Sequence, residues 1–181
     1  ADDFPLVNEA VDFGPAFSVP QKTLKSLINQ VHFAMAVHDI RYYLNGILFV
    51  AEGKQLTLVA TDGHRLALAE MPAPEGAAGQ PGVIIPRKTI NEVRRLLDDA
   101  GETVDFQVSA QKVRFEFGQA AALTSKVIDG SFPDYMRVIP RDNQKIMTVD
   151  NALFAQAVDH GLADMDHSAL FVELARRNGM T

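Results

Sequence analysis

Two stretches of this chain hold side chains at spacings that acid–base or metal chemistry would use. Asp62 and His64 flank a glycine in Thr61-Asp62-Gly63-His64, a carboxylate and an imidazole placed as a proton-transfer pair would be. Catalysis of that kind also needs a nucleophile and a third group that orients the base. Neither stands in the motif, so Asp62-Gly63 reads as a hairpin turn. His160, Asp164, Asp166 and His167 gather four potential metal ligands, but helix capping and solvation account for the same pattern. No catalytic residue, metal ligand or cofactor is therefore assigned, and no G-x-G-x-x-G run offers a dinucleotide site. With zero cysteines, disulfides and thiolate metal sites are excluded.

A second kind of chemistry is binding rather than reaction. Lys22, Lys25 and Asn29 fall at i, i+3, i+7 and share one helical face. An offset of 66 residues maps them onto Lys88, Asn91 and Arg95. In a chain of net charge −6, such recurring stripes are either solvated faces or a surface turned toward phosphates, where contacts ignore sequence and weaken with salt. The adjacent Tyr42 and Tyr43 likewise read as a packed strand face or as rings that stack on bases. Spacing alone leaves both pairs of readings open.

The stripes belong to a repeated element. Val19-Pro20-Gln21-Lys22-Thr23-Leu24 returns as Ile85-Pro86-Arg87-Lys88-Thr89-Ile90, and self-similarity at a fixed period marks stacked supersecondary units. Leu24, Leu27, Ile28 and Val31 repeat as one buried face, which predicts a helix over residues 20–33. Ile90, Val93 and Leu97 predict its counterpart from Pro86, with Gly101 as the stop signal. Period-2 runs predict strands over residues 47–51, 56–60 and 65–69, and around Val104–Val108, Val113–Phe117 and 121–127. Each unit, 17–70 and 82–127, is thus β-α-β-β-β, with a Pro- and Gly-rich linker over 71–81. The fold class is α+β. A composition of 47% hydrophobic and 22% charged residues suits a folded core, and no apolar run approaches the roughly 18 residues that span a bilayer. A soluble cytoplasmic protein with no membrane partner is expected.

Four motifs carry a resemblance. Arg41-Tyr42-Tyr43-Leu44-Asn45-Gly46, Ala60-Thr61-Asp62-Gly63-His64-Arg65-Leu66-Ala67, Thr124-Ser125-Lys126-Val127-Ile128-Asp129-Gly130 and Phe132-Pro133-Asp134-Tyr135 closely resemble the middle domain of the bacterial β sliding clamps, processivity factors of DNA polymerase III. The resemblance implies a DNA-clamp fold, in which two subunits close into a ring with helices lining a hole around duplex DNA. Lys22, Lys25, Asn29, Lys88, Asn91 and Arg95 would then face DNA, joined by His38, Tyr42 and Tyr43 from a loop. It also implies a groove for linear peptides of the replicative polymerase, clamp loader and repair polymerases. The lining would be Leu44, Thr61, Gly63, His64, Arg65, Leu66, Pro133, Arg137 and Val138.

The same reading sets domain boundaries. Residues 1–16 read as the tail of a preceding clamp domain, 17–143 as the middle domain, and 144–158 as a truncated third copy opening at Thr148-Val149-Asp150-Asn151. Residues 159–181 read as an unrelated helical tail, with a helix over 167–177. Its Asp166-His167-Ser168-Ala169-Leu170 resembles the C-terminus of β-hydroxyacid dehydrogenases of the 3-hydroxyisobutyrate type. An oxidoreductase-related fusion is the alternative, although a nucleotide-binding motif is lacking. A clamp fragment of this extent is expected to bind peptides weakly and not to form the homodimeric ring.

Overall fold

The computed structural model describes residues 13–139. Most of the 1–16 tail, the third copy, the His160 cluster and the terminal helix lie outside the described residues. One compact unit runs to Met136, and a second begins at Arg137. The elements below belong to the first.

Each predicted unit appears in its predicted order. Strand β1 (Phe17–Pro20) leads into helix α1 (Gln21–Val31), followed by β2 (Gly46–Glu52), β3 (Gln55–Thr61) and β4 (Leu66–Pro72). The second unit is β5 (Val83–Pro86), α2 (Arg87–Leu96), β6 (Thr103–Val108), β7 (Lys112–Phe117) and β8 (Ala121–Lys126). Pro20 and Pro86 precede the first helical residue with extended ψ values of 129° and 145°, so their fixed φ delivers the chain into the helix without wasting an amide donor.

The units do not fold separately. The sheets are ordered β1-β6-β7-β8 and β4-β3-β2-β5, so each unit contributes its opening strand to the sheet of the other. Phe17 pairs with Phe106, and Ile47 with Ile85, in antiparallel registers. The first helical amides repeat the exchange: Gln21 N donates to Glu102 O at 3.2 Å, and Arg87 N to Asn45 O at 2.9 Å. One hydrophobic core results. Phe106 stacks on Phe49 at 4.5 Å and packs on Phe17 and Phe115 at 5.0 and 4.7 Å, joining both sheets.

Three expectations shift at their edges. The third strand starts at Leu66, because Arg65 belongs to the turn before it. The linker starts only after β4 reaches Pro72. Helix α2 ends at Leu96, well before Gly101, because the Gln21 side chain crosses from the other unit and accepts from Asp98 N at 2.9 Å. Gly101 serves that crossing rather than the helix stop, since a Cβ there would collide with the Gln21 amide.

Candidate nucleic-acid interface

The two polar stripes meet at the helix pair. Arg94 Nε donates to Asn29 Oδ1 at 2.9 Å, and Lys25, Asn29, Asn91, Arg94 and Arg95 line a cleft of about 410 Å³ with no carboxylate in its walls. Lys25 pairs with Asp99 at 3.2 Å and Arg95 with Glu92 at 3.2 Å. Such surface pairs contribute little and exchange readily for another anion. Lys22 and Lys88 are exposed, and among the described residues neither enters an ion pair. Arg94 was missed in sequence because the repeat offset equates it with buried Ile28. Its place three residues after Asn91, on the same face, was the available signal.

The repeat is broken at one point, and the loop residues sit there. Fourteen residues, 32–45, separate α1 from β2, whereas six, 97–102, separate α2 from β6. The insertion is closed by Ala36 N donating to Leu44 O at 3.1 Å. It is buckled by Asn45, whose side chain accepts from Asp39 N at 3.0 Å and donates to Asp39 O at 2.9 Å. Ahead of that buckle His38 takes φ 56°, a left-handed conformation that few non-glycine residues adopt. Tyr42 is 57% exposed, and Tyr43 meets it edge-on at 5.8 Å. His38, Tyr42, Lys88 and Asn91 then line a second cleft, of about 480 Å³. The structure thus brings loop candidates and helix candidates to one place, and Asn91 belongs to both clefts.

The peptide-groove candidates divide. Thr61, Gly63, His64, Arg65 and Leu66 share the β3–β4 hairpin, and Gly63, His64, Arg65 and Pro133 are exposed. Leu44 is only 2% exposed and lies in the interior. Arg137 and Val138 fall in the second unit, both exposed. The turn is heavily bonded. Asp62 Oδ1 accepts from His64 N at 2.9 Å and Arg65 N at 3.0 Å, and Oδ2 accepts from Arg65 Nε at 2.9 Å. Those amides, Arg65's foremost, hold the Asp62 carboxyl below its ordinary range. It is committed to the turn as an ionised acceptor rather than held ready as a proton donor.

Arg41, which stands in the first motif without an assigned role, ties loop to hairpin. Its Nη2 donates to Asp39 Oδ2 at 2.7 Å and to the Asp62 carbonyl at 3.0 Å. The guanidinium lies under Gly63, where a Cβ would come within 2.8 Å of Nη1. Its hydrogen bond to Asp39 holds that carboxyl down to about 2.

A family model described as the DNA polymerase III beta subunit, central domain, matches residues 18–134. A beta sliding clamp of Caulobacter vibrioides strain NA1000 is 59% identical over 99% of this chain and 49% of its own length. The chain therefore spans about half the length of this relative. Among solved structures, a β sliding clamp of Caulobacter crescentus with polyethylene glycol bound gives a TM-score of 0.81 at 59% identity, covering 93% of this chain and 46% of that one. A sliding clamp of Bartonella birtlesii bound to griselimycin gives 0.78 at 42% identity, covering 92% and 45%. The 99% coverage leaves no room for residues 159–181 outside the match, and the dehydrogenase resemblance of that stretch has no support. A capping residue followed by an apolar stripe is a sequence pattern that unrelated proteins share, so a motif this short identifies little.

Proposed function

The chain belongs to the DNA polymerase III β-subunit family, and from that premise we propose that it supplies a DNA-facing helix pair and part of a peptide groove to a ring-shaped sliding clamp. The observation that carries the reading is the convergence of both polar stripes on a cleft without carboxylates, in a chain of net charge −6. Lys22, Lys25, Asn29, Lys88, Asn91 and Arg95 would contact phosphates, with His38, Tyr42 and Tyr43 approaching from the loop. Such contacts fix position without reading sequence, so the protein holds DNA and still slides. The function is mechanical, and no bond is made or broken.

Residues 17–143 form the middle clamp domain in this reading, and a second copy of the whole protein completes the ring in the cytoplasm. The replicative polymerase, the clamp loader and repair polymerases would dock short peptides with apolar anchors against Leu66 and Pro133. Polar groups of Thr61, His64 and Arg65 would orient them. Gly63 serves the turn itself, its φ of 91° being one that glycine adopts without strain.

Anisotropy of labelled duplexes of unrelated sequence tests the DNA reading. Affinity is expected to be independent of sequence and to fall linearly with salt on logarithmic axes. Replacing Lys22 and Lys88 together by alanine is expected to reduce that slope by about two, close to one for each phosphate that the variant leaves unneutralised. An unchanged slope would remove these lysines from the interface.

A further inference from the structure

We infer that the cleft between the inserted loop and α2 is a seat for one unstacked nucleotide of a DNA strand. This rests on the duplex-facing reading above and adds to it a preference for DNA with an extrahelical base. The cleft measures about 480 Å³, within the range of small-ligand sites. Its floor is apolar, from Ala36, Val37, Pro86 and Ile128. Its polar groups are Arg87 and Lys88 from the start of α2, with Asn91 one turn on and His38 from the loop.

No carboxylate lines it. An apolar floor beside two cations, Lys88 and an Arg87 whose Nη1 also reaches Met35 O at 3.5 Å, is complementary to an anion carrying a planar apolar body, which a nucleotide is. Tyr42 at 57% and Val37 at 59% exposure remain open to solvent, so the loop has not closed over the floor. The Tyr42 ring offers a stacking face. Lys88 and Asn91 form no hydrogen bond among the described residues, whereas Asn45 is spent on the buckle. Asn91 also borders the cleft of Lys25, Asn29, Arg94 and Arg95. A strand backbone can therefore lie along the helix pair while one base turns into the adjoining seat.

The test uses the full 181-residue chain and two labelled duplexes, one fully paired and one carrying a single bulged 2-aminopurine. The bulged duplex is expected to bind about tenfold more tightly, the worth of one base stacked on an aromatic ring, and its 2-aminopurine emission to be quenched. Val37→Met lays a longer side chain across the floor from an exposed position. It is expected to abolish the preference and the quench while leaving the paired duplex within about twofold of wild type. Equal binding of both duplexes without a quench overturns the seat and leaves the duplex reading standing. If neither duplex binds at low salt, the duplex reading fails, and a single-stranded 2-aminopurine oligonucleotide then decides the seat. Quenching that Val37→Met removes sustains it, and no quenching overturns it.

Discussion

Arg41 is the residue on which two features of the surface depend. It bonds Asp39 within the loop and the Asp62 carbonyl within the hairpin, and it fills the space that the missing Gly63 side chain leaves. Gly63 has φ 91°, which an L side chain adopts only under strain. Gly63→Ala is therefore expected to cost about 1–3 kcal/mol and to displace the guanidinium. Urea denaturation should show a lower midpoint at an unchanged m-value. Protonation reports the same bond. Asp39 has a folded pKa of about 2, below its ordinary value of 3.8, so its ion pair is present above the ordinary carboxylate range and is lost as pH falls through about 2. An NMR titration of the Asp39 carboxyl should show that midpoint, and Arg41→Ala should raise it part of the way toward its ordinary value, because the amide of residue 41 still donates to Asp39 Oδ1. A midpoint still at the wild-type position in the variant would place the cause elsewhere.

At the scale of elements, the loop and the helices acquire their roles in opposite ways. Helices α1 and α2 are equivalents, and Leu24 and Ile90 occupy the same position in each, at 0% and 1% exposure. Their outer faces match because their inner faces must. The loop has no equivalent, being eight residues longer than its counterpart between α2 and β6. It exposes Phe33, Val37, Ile40 and Tyr42, an apolar group that a folded core would otherwise have recruited. Because both helices feed one core, Leu24→Ala and Ile90→Ala are each expected to cost about 2–5 kcal/mol, despite lying in different repeats. Chemical denaturation followed by circular dichroism checks this. A cost below about 1 kcal/mol for either would mean that its repeat is not integral to the core.

At the scale of the molecule, strand exchange makes two repeats into one cooperative body. A sheet that takes β1 from one unit and β6–β8 from the other cannot form while either unit is unfolded. The Leu24 and Ile90 variants are therefore both expected to unfold in a single transition, with coincident signals from near- and far-ultraviolet circular dichroism. Two separated transitions would contradict the exchanged topology. The same closure fixes the surface, because helices anchored to a shared core hold Asn29 and Arg94 within hydrogen-bonding distance. A pair of independently moving repeats would present two weak stripes rather than one continuous face.

Sequence alone determined what depends on neighbours along the chain. The helix faces of Leu24 to Val31 and Ile90 to Leu97, the alternating strands, the Asp62-Gly63 turn and the recurring cationic stripes are all set by local periodicity and turn chemistry. The four motifs were enough to identify the family. The tertiary structure decided what depends on the meeting of distant segments. A repeat pattern states that two units are alike but not that they exchange strands, because hydrogen-bond partners across a sheet leave no mark on either segment's period. Arg94 at the interface, Leu44 in the interior, Gly101 making way for Gln21, and Arg41 joining loop to hairpin were hidden for that reason. The cleft beside Tyr42 was hidden as well, since its walls come from three separated stretches of chain that meet only when the core closes.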